Sequence, residues 1–194
     1  MTPKGPLDLV VEVAALLEEL AVPYALGGSL ASSLIGEPRS TMDIDIAVSL
    51  DPSIGEVLLR RVGAEFYVPV TSARAAIRAK SSFNLVDTEH SLKVDLFVLG
   101  DSLLDRRQLE RRVEIDLAGG QVRIWVTSAE DQVLRKLDWY RRSGGSERPW
   151  RDVVGILRVS TTSIDHGDLH STAEELGLGS LLGEAWRQAR GQKC

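Results

Sequence analysis

YALGGSLASSLIGEPRSTMDIDIAV, residues 24–48, decides how the chain is read. An apolar strand runs into two adjacent glycines, and SLASSLIG then reads as a short helix with Ser29 near its N-cap and Gly36 at its end. MDIDIAVSL follows with a period of two. Met42, Ile44, Ile46 and Val48 fall on one face, and Asp43, Asp45 and Ala47 on the other. This alternation predicts a strand with one face in the core and the other wet. Carboxylates at Asp43 and Asp45 would then sit about 7 Å apart at the backbone and repel each other. Something cationic belongs between them: an Arg, a Lys or a divalent metal. Oxygen donors on a rigid strand suit Mg²⁺, which completes its shell with waters and substrate phosphates. Asp is depleted in strands, so two at i, i+2 in an apolar frame are poorly explained as plain solvent-facing residues.

Two further pieces extend the pattern. Gly27-Gly28-Ser29 stands at a strand-to-helix junction, where glycines allow close backbone approach and a helix N-terminus offers N–H groups to phosphate. The turn is neither a dinucleotide fingerprint nor a P-loop, because the later Gly and the Lys-Ser/Thr are missing. In SLKVDLFVL, residues 91–99, Leu92, Val94, Leu96 and Val98 form the buried face, leaving Asp95 on the other with Lys93 and Phe97. If this strand lies beside the Asp43/Asp45 strand, three carboxylates converge near a phosphate-binding turn. That arrangement fits metal-assisted phosphoryl transfer.

The remaining sequence divides near residue 127. Before it come a helix over residues 7–20, a helix from Pro52 to about Arg61, a strand AEFYVPV and a short helical piece around residues 72–80. FNLVDTE and SLKVDLFVL read as strands, and RRVEIDL and QVRIWVTS as a hairpin joined by Ala118-Gly119-Gly120. After it, SAEDQVLRKLDWYRR, ERPWRDVVGILRV, DHGDLHSTAEELG and SLLGEAWRQAR are four helical segments. The expectation is a mixed α/β part over residues 1–127 and a helical part over 128–194.

At 194 residues the chain can bury a core without staples, and 43% hydrophobic with 26% charged residues is ordinary for a soluble protein. The start, MTPKGPLDLVVEVAALLEEL, lacks a signal peptide's cationic head and apolar run, and no later run is long enough to span a membrane. A cytoplasmic location is expected. The single cysteine, Cys194, excludes internal disulfides and cysteine metal sites. A net charge of −5 argues against nucleic-acid binding over the whole surface. RRQLERR, residues 106–112, and the basic stretch from Arg135 to Arg151 read first as solvated helix faces.

Gly-Gly-Ser, thirteen residues, Asp-Ile-Asp on a strand and a later Asp in a hydrophobic strand together resemble the DNA polymerase β-type nucleotidyltransferase superfamily. Arg39-Ser40-Thr41-Met42-Asp43-Ile44-Asp45 is similar to the Arg-x-Thr-x-Asp-x-Asp form of AbiEii/AbiGii-type toxins, and EDQVLRKLDWYRRSGGSERPWRDVVGIL to their downstream motif. The resemblance implies an α+β nucleotidyltransferase fold, a small mixed β-sheet flanked by helices with a C-terminal helical bundle, in which residues 1–127 would be the catalytic core and 128–194 would close the nucleotide cleft. It implies transfer of a nucleoside monophosphate from an NTP to an acceptor hydroxyl. Asp43, Asp45 and Asp95 would be the catalytic and metal-binding carboxylates, for Mg²⁺ or Mn²⁺, with Asp95 helping to deprotonate the acceptor. Gly27, Gly28, Ser29, Arg39, Thr41, Lys136 and Asp152 would bind the nucleotide. The acceptor would be tRNA or a small molecule of antibiotic type, and the toxin-like reading adds an antitoxin protein as partner. A non-catalytic nucleotide-binding module is the remaining alternative.

Other residues have plainer readings. Asp152 could pair with Arg148 or Arg151 along its helix, and Arg39 could neutralise the aspartates or touch phosphate. Trp139, Tyr140 and Trp150 could stack a base, though aromatics at such spacing read first as core. His166 and His170 are spaced to share a metal, but Asp165 reads as the cap of their helix and no third ligand stands nearby.

Overall fold

The structure, a computed structural model, describes residues 4–117, 120, 122–160 and 162–191. The Ala118-Gly119 part of the predicted hairpin turn and Cys194 lie outside the described residues. The chain divides into two compact units, residues 1–30 with 41–126, and residues 31–40 with 127–194. The helical unit thus also takes in the segment just before the aspartates.

In the first unit, Leu9, Val10, Val13, Ala14, Leu16 and Leu17 form the buried side of α1 (Pro6–Glu19), the helix expected over residues 7–20. The unit's strands are β1 (Tyr24–Leu26), β2 (Ile44–Val48), β3 (Ser82–Asp87), β4 (Leu92–Val98), β5 (Val113–Leu117) and β6 (Val122–Val126). They form one mixed sheet in the order β3-β4-β2-β1-β6-β5. β2 runs parallel to β4 and antiparallel to β1, which is parallel to β6; the β3/β4 and β5/β6 pairs are antiparallel. Ile44, Ile46, Val48, Val94 and Leu96 are fully buried, each worth about 1.5–3 kcal/mol relative to exposure. The other helices of this unit are α3 (Pro52–Val62), α4 (Val70–Ala79) and α5 (Leu103–Glu110); α2 (Gly28–Ile35) begins in it. Asp51 caps α3 by accepting from the Ser53 and Ile54 N–H groups, with Pro52 opening the helix.

Two local expectations are corrected. AEFYVPV is not a strand: Tyr67 makes one antiparallel bridge to Val86, Pro69 has no N–H to continue a ladder, and Val70 already opens α4. The strand at the aspartates is shorter and drier than its alternation predicts. Thr41 Oγ1 takes the Asp43 N–H at 3.2 Å, and the ladder begins one residue later, at Ile44. Met42 is consequently 60% exposed, while Ala47 on the supposedly wet face is buried.

The second unit contains α6 (Ala129–Arg142), α7 (Glu147–Val159), α8 (His166–Glu175) and α9 (Gly179–Ala189), the four helices expected there. Ser128 caps α6 through the Asp131 N–H, and Asp165 caps α8 through the Asp168 N–H. Val153, Val154, Ile156 and Leu157 bury one side of α7, which packs on α6 and α9. Among the described residues no helix is long and apolar enough to cross a membrane.

Candidate functional site

Parallel pairing of β2 with β4 sets Asp45 directly beside Asp95. In-register neighbours on adjacent strands share a face, with backbones about 4.8 Å apart. Two carboxylates so placed destabilise the pairing unless a cation intervenes. Lys93, two residues before Asp95 on the same face of β4, supplies a cation, with its Nζ 2.9 Å from Asp95 Oδ2. The hydrogen bond to Asp95, together with the charges of Asp95, Asp43 and Asp45, raises the Lys93 pKa against the opposing effect of burial. Asp95 Oδ1 is closed to solvent and has no hydrogen-bond partner among the described residues. Asp43, just outside the ladder, is exposed.

The glycine turn lies on the same carboxylate. Gly27 N–H donates to the Asp45 carbonyl at 2.8 Å. Gly28 has φ +62°, and a Cβ there would stand 1.8 Å from Asp45 Oδ2, so a side chain fits neither the backbone nor the space. The N-terminus of α2, with Ser29 in its first turn, therefore opens against Asp45.

Among the described residues no group of three His, Cys, Asp or Glu forms a ready-made metal cage. The donors at hand are nevertheless carboxylate oxygens, one of them buried without a partner, which fits a hard divalent ion that retains waters and phosphate oxygens. Lys93, not among the expected site residues, is the cation paired with Asp95. Its shared face with Asp95 was visible in the period of two, but its contact was not.

Of the remaining predicted residues, Arg39, Lys136 and Asp152 belong to the helical unit and Thr41 to the first. Arg39 grips Asp152 as a fork, Nε to Oδ1 at 2.8 Å and Nη2 to Oδ2 at 3.2 Å. Lys136 Nζ lies 2.7 Å from Asp152 Oδ2, with both side chains at 4% exposure or less. Burial pushes the Asp152 pKa up, but hydrogen bonds from Arg39 and Lys136 outweigh it and hold the carboxyl below its ordinary range. Lys136 thus meets a carboxylate where phosphate was expected, and Asp152 pairs across the unit rather than with Arg148 or Arg151. Arg39 and Asp152 also line a cavity of about 260 Å³ with Ser32 and Arg151. The aromatics are not core: Trp139 is 37% exposed, and Tyr140 and Trp150 are half-buried. His166 packs on the Trp186 ring at 5.0 Å.

The chain matches no protein-family profile and no curated protein. Solved structures do share its fold. A nucleotidyltransferase-like antigenic protein of Paracoccidioides brasiliensis superposes with a TM-score of 0.56 at 19% identity, over 92% of this chain and 90% of that one. The antibiotic-resistance factor ANT(2'')-Ia gives 0.57 at 14% identity, over 91% and 94%. The lincosamide antibiotic adenylyltransferase LnuA, solved with lincomycin, gives 0.50 at 14% identity, over 76% and 93%. The chain has the α+β nucleotidyltransferase fold.

Proposed function

We propose that the protein is a metal-dependent nucleotidyltransferase that moves a nucleoside monophosphate from an NTP to an acceptor hydroxyl, releasing pyrophosphate. The observation that carries this reading is the in-register pairing of Asp45 with Asp95 beneath the Gly27-Gly28 turn. Like charges are a liability in a ladder, and the arrangement makes sense where a cation and a phosphate are to be held. Asp43, Asp45 and Asp95 would hold Mg²⁺ or Mn²⁺, which when bound supplies charge neutralisation for in-line phosphoryl transfer. Asp95 takes the acceptor proton as the hydroxyl oxygen bonds to the α-phosphorus and the bond to the pyrophosphate oxygen breaks. Gly27, Gly28 and Ser29 receive the triphosphate, with Arg39 and Thr41 as further nucleotide contacts. Lys136 acts at one remove by fixing Asp152.

The finer reading, an AbiEii/AbiGii-type toxin acting on tRNA with an antitoxin partner, rests on Arg39-Ser40-Thr41-Met42-Asp43-Ile44-Asp45. A small-molecule acceptor is supported by the fold shared with ANT(2'')-Ia and LnuA, both named for antibiotics. The deciding experiment incubates the protein with each α-labelled NTP, Mg²⁺ or Mn²⁺, and separate pools of RNA, protein and small molecules. The pool that takes label names the acceptor class. Undiminished labelling by Asp43→Ala and Asp45→Ala variants would refute the mechanism, and nucleotide binding without labelling of any pool would leave a binding module.

A further inference from the structure

Three arginines on one side of α7 take no part in the proposed transfer reaction. Arg148, Arg151 and Arg158 recur at helical spacing on α7, away from the buried Val153, Ile156 and Leu157. With Tyr140 and Trp150 they line a cavity of about 600 Å³ inside the helical unit, a volume within the range of about 300–1,000 Å³ typical of small-ligand sites. The Tyr140 and Trp150 rings meet at 4.8 Å with a tilt of 39°, and Trp150 Nε1 donates to Gln188 Oε1 at 2.6 Å, which anchors the indole. Glu37 and Glu147 also line the cavity, but Glu37 is engaged by Arg158 at 3.2 Å. Arg148 and Arg151 are exposed, and among the described residues neither has a hydrogen-bond or ion-pair partner. An anchored aromatic pair beside two unengaged guanidiniums matches a ligand with a flat ring and a phosphate, since each part then meets its preferred surface.

We propose that this cavity binds an unpaired nucleotide, its base against Tyr140 and Trp150 and its phosphate on Arg148 and Arg151. The nucleotide is either free or the end of a single strand. Its lining lies within the helical unit and shares Glu37 and Arg151 with the smaller cavity at Arg39 and Asp152.

The test uses the full chain in EDTA, so that neither turnover nor metal contributes. Tryptophan emission is followed on titration with 5′-AMP, adenosine and a short oligoadenylate, for wild type, Arg148→Gln/Arg151→Gln and Trp150→Phe. The expected result is saturable quenching by AMP or the oligonucleotide, at least tenfold weaker binding by the arginine variant with a shallower salt dependence, and loss of most of the quenching in Trp150→Phe. Saturation by AMP identifies a free-nucleotide site, and saturation by the oligonucleotide alone identifies a strand end. Binding by neither, adenosine binding as tightly as AMP, or unchanged binding by the arginine variant would each overturn the proposal. None of these outcomes bears on the transfer reaction.

Discussion

Removing Asp152 alone should damage the helical unit far more than removing it together with Lys136. Both side chains are at least 96% buried, and their charged atoms are 2.7 Å apart. Asp152→Leu strands the Lys136 ammonium with no other ion-pair partner among the described residues and only the face of the neutral Trp139 ring, 5.7 Å away. A buried ion left in this way typically costs about 3–5 kcal/mol. Lys136→Met leaves Asp152 gripped by Arg39 and should cost less, about 1.5–3 kcal/mol for one charged hydrogen bond. The double variant removes both ions, and Arg39, at 22% exposure, can turn to water. It should lie within about 2 kcal/mol of wild type, because apolar replacement of a buried pair is often near neutral. The coupling energy would then be at least about 2.5 kcal/mol. Urea unfolding followed by circular dichroism measures all four corners of the cycle. In calorimetry Asp152→Leu should lose roughly 6–20 °C, at about 2–4 °C per kcal/mol for a chain of this size. A single Asp152→Leu variant within about 1 kcal/mol of wild type, or a double variant as unstable as the sum of its singles, would refute the reasoning.

Three further outcomes are expected. Lys93→Met should tighten Mn²⁺ binding, measured by calorimetry, by roughly two- to fivefold, since the half-exposed Lys93–Asp95 pair is worth under about 1 kcal/mol; weaker binding would contradict its role as a competing cation. Gly28→Ala should destabilise by about 1–2 kcal/mol through its left-handed backbone alone. By displacing the Asp45 carboxylate it should also cut NTP transfer at least tenfold, and a variant with normal transfer would show that the turn does not set Asp45. Asp87 is pushed up by burial, but hydrogen bonds from Lys4 and from the backbone and ring of His90 hold it at about 2. Its folded pKa lies below the unfolded value of about 3.9, so its stabilisation is complete above that value and is lost as pH falls through about 2. The melting temperature of Asp87→Asn should therefore depend less on pH between about 4 and 2 than that of wild type; parallel curves would reject the assignment.

What could be read from the sequence depended on how local its cause was. The alternation around Asp95 and the helical stripe of α1 state their own periods, and both elements form where expected. Strand AEFYVPV failed because alternation is blind to the missing N–H of Pro69. Thr41 capturing the Asp43 N–H is likewise a side-chain event that a hydrophobic pattern does not record. Arg39 and Asp152 are 113 residues apart, so no spacing rule could pair them, and the nearer Arg148 and Arg151 were the natural but wrong partners. The convergence of Asp45 and Asp95 was conditional on strand order, which topology alone decides.

Lys93 has a consequence for how the chain comes into being. Many metal sites are assembled by the ion itself, and such chains stay unfolded until it arrives. Here the strand that brings Asp95 beside Asp45 also brings an ammonium, so the sheet can close around its acidic face with nothing borrowed from solution. On the proposed reading, maturation and activation would be separate events: the chain would fold with a resident counterion at Asp95, and the divalent ion would serve chemistry rather than folding.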